Sequence, residues 1–279
     1  DVLLSYTLIF GKLGIPAMGV TGAAIGGLTA RIYECVALIS AVYITKSPIA
    51  GKLREIFNID FHFFRKIFLP VLPVILNETF WSLGTTTYNA IYAHISTDSI
   101  AAVNIFSTID QMALVLFFAI TSGTSVMVGN RIGAGDKDTA YRYAGRSLGL
   151  VMVLAWAAGA LIYSISGYLF VFFKVQPLVI EYAHHLLRIS CSLLWVRAMN
   201  AMLIVSILRA GGDTWFAFFL DGCIIWILGV PMAYTGAFVL DLPVYGVYFM
   251  VMSEEVTKWS LGLYRFFSRK WINNLAQTV

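Results

Sequence analysis

Charge is what this chain has least of. Only 12% of its 279 residues are Asp, Glu, Lys or Arg, where a soluble globular domain carries roughly 25%. Apolar residues make up 59% and the mean hydropathy is +0.80. That balance excludes an ordinary soluble domain and indicates a polytopic membrane protein. The net charge of +4 is too small to suggest a nucleic-acid partner. Cysteine is scarce as well. Cys35, Cys191 and Cys223 sit inside apolar runs and form no C-x-x-C pair, so they read as small core hydrophobes and say nothing about redox compartment.

The motifs of soluble enzymes are also missing. There is no H-E-x-x-H, no P-loop and no D-D-x-x-D. His184 and His185 are adjacent, hence about 100° apart on a helix, which is poor geometry for one metal. Gly133-Ala-Gly135 follows an apolar helix rather than a strand, which removes a dinucleotide fingerprint. The expectation is a protein that is not an enzyme and needs no cofactor or metal.

What is present is a series of long apolar runs. A helix needs about 20 such residues to cross a bilayer. Seven runs qualify, at roughly 19–44, 69–94, 101–128, 143–172, 178–208, 215–239 and 244–267. The expected fold is an all-α, polytopic transmembrane bundle. Val2 to Phe10 is too short to cross and reads as the tail of a span whose start is missing. No initiating Met or signal-peptide pattern precedes it, so the chain is read as a fragment, with a processed terminus as the alternative.

Lys and Arg alternate between the connections. One set holds Lys46, Lys52, Arg54, Arg65, Lys66, Arg131, Lys137, Arg142, Arg146, Arg209, Arg265, Arg269 and Lys270. The other holds only Lys12 and Lys174. Positive residues gather on the cytoplasmic side, so the first set and the C-terminus are expected inside.

Three parts are expected along the chain. Residues 1–45 would end a first lobe, 46–68 would link the lobes, and 69–279 would form a six-helix second lobe. The linker carries Phe57, Phe61, Phe63 and Phe64 near Arg54, Arg65 and Lys66. Either an interfacial helix lying against membrane lipid or a plain loop fits that composition. The two lobes are suggested by a short repeat, Pro16-Ala-Met-Gly-Val20 and Pro243-Val-Tyr-Gly-Val247, each placed just before a span. Six spans separate the two copies, an even number that returns the chain to the same side, as in parallel-repeat transporters.

Ionisable groups inside spans cost about 2.5–3.5 kcal/mol each on insertion scales, so they should face a bundle interior or a wet cavity. They are Arg31, Glu34, Glu78, Asp110, Arg188, Arg197, Asp221, Glu254, Glu255 and Lys258. Arg31 with Glu34 and Glu254 with Lys258 can pair on their own helices. Glu78 has no cation within four residues and is expected to stand unpaired, holding a proton or a sodium ion; the plain alternative is a protonated core glutamate. Asp110 and Asp221 are further candidates, with a salt bridge from Arg197 to one of them as the simplest structural reading. Glu78, Trp81, Thr85 and Tyr88 fall near one helical face, where rings beside a carboxylate suit a lipophilic cation; ordinary helix packing produces the same stripe.

Two polar loops carry a further likeness. Val128-Gly-Asn-Arg-Ile-Gly-Ala-Gly-Asp136 and Ile207-Leu-Arg-Ala-Gly-Gly-Asp-Thr214 each separate two apolar runs. Their glycines permit a tight reversal, and Asp213 or Thr214 is expected to cap the next helix. With Leu72-Pro-Val-Ile-Leu-Asn-Glu-Thr-Phe-Trp81, Trp226-Ile-Leu-Gly-Val-Pro231, Glu254-Glu-Val-Thr-Lys258 and Ser268-Arg-Lys-Trp271, they resemble, in order, the multidrug and toxic compound extrusion (MATE) family. The resemblance extends over nearly the whole chain. It implies a twelve-helix, two-lobe antiporter that exports cationic or lipophilic drugs against sodium or protons, of which this chain would hold about seven spans and lack most of the first lobe.

On that likeness Glu78 corresponds to a cation-binding carboxylate of some members' seventh helix. Asn77, Trp81, Tyr88 and Asn200 become substrate-lining positions, with Asp110 and Asp221 as further coupling carboxylates. The tenth-helix aspartate of some members has no match, since Arg197 and Asn200 occupy that region. The first-helix aspartate used by proton-coupled members would lie outside this chain, and the chain alone would not transport. A lipid-linked oligosaccharide flippase of the wider superfamily and a non-transporting membrane scaffold are the alternatives.

Overall fold

The computed structural model describes residues 2–12, 14, 16–45, 61–170, 173 and 175–273, which among themselves form helices and no strand. The helices are α1 (Val2–Phe10), α2 (Gly19–Ile44), α3 (Phe61–Ile95), α4 (Thr97–Gly133), α5 (Lys137–Phe170), α6 (Pro177–Leu208), α7 (Thr214–Val239) and α8 (Val244–Phe267). Among the described residues each of the seven expected spans falls on one long helix, α2 to α8; residues 171–172 of the 143–172 run lie outside the described residues. Among the described residues α2, α4, α5, α6 and α7 are long and apolar enough to cross a membrane by length and composition. The other two are more polar in their middles, α3 with Asn77 and Glu78, α8 with Glu254, Glu255 and Lys258. Most of the expected linker, 46–60, lies outside the described residues, as does Lys174.

Several helices outrun the apolar runs that announced them, because caps rather than hydropathy end a helix. Ser96 accepts a bond from the Ser99 backbone N–H at 3.0 Å and starts α4 four residues early. Asp136 does the same for α5 through Thr139 at 3.1 Å. The Thr139 bonds, side chain first and backbone second, hold the Asp136 carboxyl below the usual carboxylate range. The expected cap at α7 is different. Asp213 occupies the cap position without a capping bond, and its carboxylate instead accepts from Arg265 Nε at 2.6 Å. A charged partner outcompetes a neutral backbone N–H for a carboxylate.

The chain divides into two compact units, Asp1–Phe64 and Arg65–Val279. In the first, α1 lies along α2 over two glycines. A Cβ on Gly22 would meet the Leu8 carbonyl oxygen at 2.6 Å, and one on Gly26 would meet the Ser5 Cα at 2.9 Å. Small residues four apart let helix backbones approach in this way. Arg31 and Glu34 pair at 2.8 Å on the exposed face of α2, as their spacing predicts.

The second unit has two apolar clusters stacked along the bundle. One joins Phe117, Val128, Val151, Leu194, Met202, Leu220 and Trp271. The other joins Tyr92, Phe106, Phe170, Leu186, Val244 and Tyr248. Between them α4, α6 and α8 each change from apolar to polar, at Asp110, Ser190 and Glu254 to Lys258. Outside, Met112, Val115, Leu116, Val153, Ile227 and Phe249 are more than half exposed. A surface so apolar fits lipid rather than water.

At one end of this unit the two glycine loops and the C-terminal Ser268–Trp271 segment come together. Gly135 and Gly212 adopt φ of 83° and 77°, which a residue with a Cβ resists. Trp271 is fully buried against Gly211, and the Gly211 carbonyl accepts from the Asn273 backbone N–H at 2.8 Å. Arg269 reaches Asp138 at 3.1 Å and lies 4.2 Å from the centre of the Tyr141 ring.

Helices α6 and α7 are not regular throughout. Wider turns, with N–H to carbonyl bonds five residues back, occupy Met202–Leu208, Phe219–Cys223, Ile225–Gly229 and Thr235–Val239. Such turns rotate the side chains beyond them and concentrate at functional sites. Here they flank Asn200 and contain Asp221.

Candidate functional site

The polar layer opens into a cavity of about 270 Å³ lined by α3, α4, α6, α7 and α8. Its polar wall consists of Glu78, Arg197, Asn200, Arg209, Asp221 and Glu255; Trp81, Phe118 and Ile204 supply much of the apolar wall. The sequence candidates Glu78, Trp81, Asn200 and Asp221 thus meet around one space. Asn77 and Asp110 stand behind its wall and hold the lining residues Asp221 and Arg197, while Tyr88 is buried behind it against Glu254.

Each of the three candidate carboxylates has a cation. Glu78, expected to be unpaired, is 2.8 Å from Arg209. The two are 131 residues apart, and Arg209 comes from the end of α6, so no local spacing could reveal it. Glu78 stays more than half exposed at its side chain (58%), so the pair is open to the cavity. Asp110 takes both guanidinium nitrogens of Arg197, at 2.7 and 2.9 Å, and the Ser190 hydroxyl at 2.6 Å. That two-pronged contact is the salt bridge anticipated for Arg197. Asp221 accepts from Lys258 at 3.1 Å and from the Asn77 amide at 3.0 Å.

Lys258 is only 2% exposed and is shared. It also pairs with Glu254 at 2.5 Å, the expected contact one turn along α8. Glu254 receives a second hydrogen bond from the Tyr88 hydroxyl. This places Tyr88 within the packing of α3 against α8, 9% exposed, rather than beside a solute; of the aromatic stripe only Trp81 faces the cavity. Gly229 of α7 makes the contact possible, since a Cβ there would overlap both the Tyr88 hydroxyl and the Glu254 carboxylate. The same helix is fixed to α3 by the Trp226 indole N–H, which donates to the Phe80 carbonyl at 3.1 Å.

Glu255, counted among the ionisable groups inside spans, was given no site role by the sequence reading. It accepts from the Asn200 amide at 2.7 Å, and the same amide donates to the Glu255 backbone carbonyl at 2.8 Å. The only available signal was its position next to Glu254, which turns its side chain by about 100° from the Glu254–Lys258 pair. Among the described residues no group of three or more His, Cys, Asp or Glu side chains is arranged to hold a metal ion. His184 packs at a tilt against Phe170, and His185 stacks on Tyr245.

A lipid-facing helical bundle with charged groups gathered around an internal cavity defines an integral membrane protein with room for a small solute. The MatE family model matches residues 73–235, more than half of the chain. The protein belongs to this family, the multidrug and toxic compound extrusion transporters. It is 26% identical over 268 residues to the uncharacterized transporter YisQ of Bacillus subtilis, covering 96% of this chain and 58% of that protein. It is 28% identical over 255 residues to the probable multidrug resistance protein NorM of Bacillus cereus, covering 84% and 52%. Among solved structures, the MATE transporter ClbM in complex with Rb+ has the same fold, with a TM-score of 0.75 at 19% identity over all of this chain and 60% of its own. The chain spans about half the length of the curated relatives it matches.

Proposed function

We propose that this protein serves as a secondary active antiporter of a bacterial inner membrane, exporting organic cations or drugs in exchange for sodium ions or protons. The observation that carries the reading is the cavity lined by Glu78, Arg197, Asn200, Asp221 and Glu255, with the exposed Glu78–Arg209 pair on its wall. Charged groups at that depth are costly unless they serve a wet pathway. A relative named as a multidrug resistance protein and a fold neighbour described with a monovalent cation support the same reading. The missing partner would be the first lobe, and the C-terminus would face the cytoplasm.

Glu78 is the coupling carboxylate in this scheme. Its resting partner is Arg209, and a proton or sodium ion arriving from the cavity competes with that guanidinium. Occupation by the ion frees Arg209, so the cavity gains a mobile positive charge that repels a cationic solute. Exchange of solute for ion then follows from electrostatics.

Glu78→Gln should abolish sodium- or proton-driven efflux of a fluorescent cation from vesicles while membrane insertion is retained, because the titratable group is lost and the shape is kept. Glu78→Asp should keep part of the activity. Efflux at the wild-type rate by the Gln variant, across both a pH series and a sodium series, would remove Glu78 from the mechanism.

A further inference from the structure

Apart from the cavity, the second unit has a groove of about 570 Å³ between α5 and α8, crossing over α6. Its floor includes Leu148 of α5 and Met199 of α6, both buried, and its rims carry Gly149 and Met152 on α5 and Leu263 and Phe267 on α8. Met152 and Phe267 are 40% and 66% exposed, so the groove is open along its apolar length. Nothing narrows it at Gly149, where an added Cβ would meet no atom within 4 Å. At one end Tyr141 stacks on Phe266 with ring centres 4.9 Å apart and joins the two helices.

That end is charged. Arg142 and Arg146 also line the groove, both exposed and one turn apart on α5. Positions 142, 146, 149 and 152 share one helical face, so the two guanidinium groups stand in line with the apolar trough. Among the described residues neither arginine has a carboxylate within 4.0 Å. The carboxylates at that end are held elsewhere, Asp138 by Arg269, Asp213 by Arg265 and Asp136 by the Thr139 backbone N–H. Arg142 donates to the neutral Thr139 hydroxyl at 3.0 Å, which leaves its charge uncompensated. No charged residue follows Arg146 on α5, so the pair marks the step from polar loop to apolar span, the depth of lipid headgroups.

We infer that this groove binds an anionic phospholipid, its phosphate between Arg142 and Arg146 and an acyl chain along Gly149 and Met152. Guanidinium suits phosphate because its N–H groups can form two parallel bonds to the oxygens. Basic pockets between membrane helices hold anionic headgroups on this physical basis. Charge and shape select the occupant. An organic cation is repelled by both arginines, and a soluble phosphate leaves the trough empty. An amphiphile with an anionic head and a long tail matches both ends. A zwitterionic lipid brings its own cation beside the phosphate, which weakens the attraction of the arginines. A lipid seated here bridges α5 and α8, whatever the cavity carries.

Lipid binding to the purified, delipidated protein in a nonionic detergent tests this, read by native mass spectrometry and by the thermal midpoint. The probes are dioleoyl phosphatidylglycerol and dioleoyl phosphatidylcholine, equal in their chains. Wild type should bind the first about tenfold more tightly and gain thermal stability from it. Arg142→Gln with Arg146→Gln should erase the preference, and the matching pair of Lys substitutions should keep part of it. Lys137→Gln, near the same end but outside the groove, should leave it intact. Gly149→Leu should weaken both lipids without lowering the lipid-free midpoint, because the new side chain enters the trough and not the core. Equal affinity of wild type for the two lipids, or a preference that survives the double Gln variant, overturns the inference. So does displacement of the lipid by glycerol 1-phosphate, which would assign the arginines to a soluble phosphate. A dimer that Gly149→Leu turns into a monomer would assign the groove to a second copy of the chain and overturn it as well.

Discussion

Arg197 and Asp110 show how a membrane protein keeps charge in its middle. Both side chains are largely buried, and the guanidinium covers both carboxylate oxygens while Ser190 satisfies one of them again. Breaking such a pair leaves one uncompensated buried charge, which costs about 3–5 kcal/mol. Arg197→Met should therefore lower the thermal midpoint of the purified protein steeply. Adding Asp110→Asn should recover most of the loss, because no charge is then left alone. An Arg197→Met variant as stable as wild type would show that the pair has no structural weight. Glu78 and Arg209 are the contrasting case: the carboxylate is well exposed, so screening leaves that pair a small stability effect and makes it suitable for exchange.

Helix α7 carries the most information per residue. Its wider turns place Asp221 toward the cavity and Gly229 against the Tyr88–Glu254 hydrogen bond. Adding a methyl group at Gly229 must push apart α3, α7 and α8 at their common contact. Overpacking of this kind costs about 1–3 kcal/mol, so Gly229→Ala should lower the unfolding midpoint. Gly149→Ala on α5 is the control, since a Cβ there meets nothing within 4 Å. Equal midpoints for the two variants would remove the proposed contact. The boundaries of α4 and α5 were misplaced by hydropathy because Ser96 and Asp136 cap them outside the apolar runs. The α7 cap position was read correctly as Asp213, but its capping bond is absent because Arg265, 52 residues away, takes the carboxylate.

For the molecule as a whole, the alternation of basic connections gives an expected orientation, with the C-terminus inside. The loops at 134–136 and 211–213 and the segment after α8 meet at one end of the second unit, where Arg265 and Arg269 are held by Asp213 and Asp138. In a background without other cysteines, single cysteines at Asp98 and Gln176 should react with an impermeant thiol reagent from outside the cell. A cysteine at Lys137 should react only after the membrane is opened. Labelling of positions 98 and 176 solely from the cytoplasmic side would invert the topology.

Sequence alone was sufficient for the all-helical membrane class and for pairs such as Arg31–Glu34 and Glu254–Lys258. These follow from composition and from the fixed 3.6-residue period, which any isolated helix obeys. It also brought out Glu78, Asp221 and Asn200, because polar groups stand out against an apolar run. Which of them face a shared cavity was decided only by tertiary packing. The Glu78–Arg209, Asp110–Arg197 and Asp221–Lys258 pairs each join different helices, and the wider turns in α6 and α7 shift side-chain directions away from the regular period. Glu255 and Tyr88 illustrate the limit in opposite ways, one given no role of its own and lining the cavity, the other expected there and buried behind it. Helical phase about the bundle axis separates them, and that phase is set by how neighbouring helices dock.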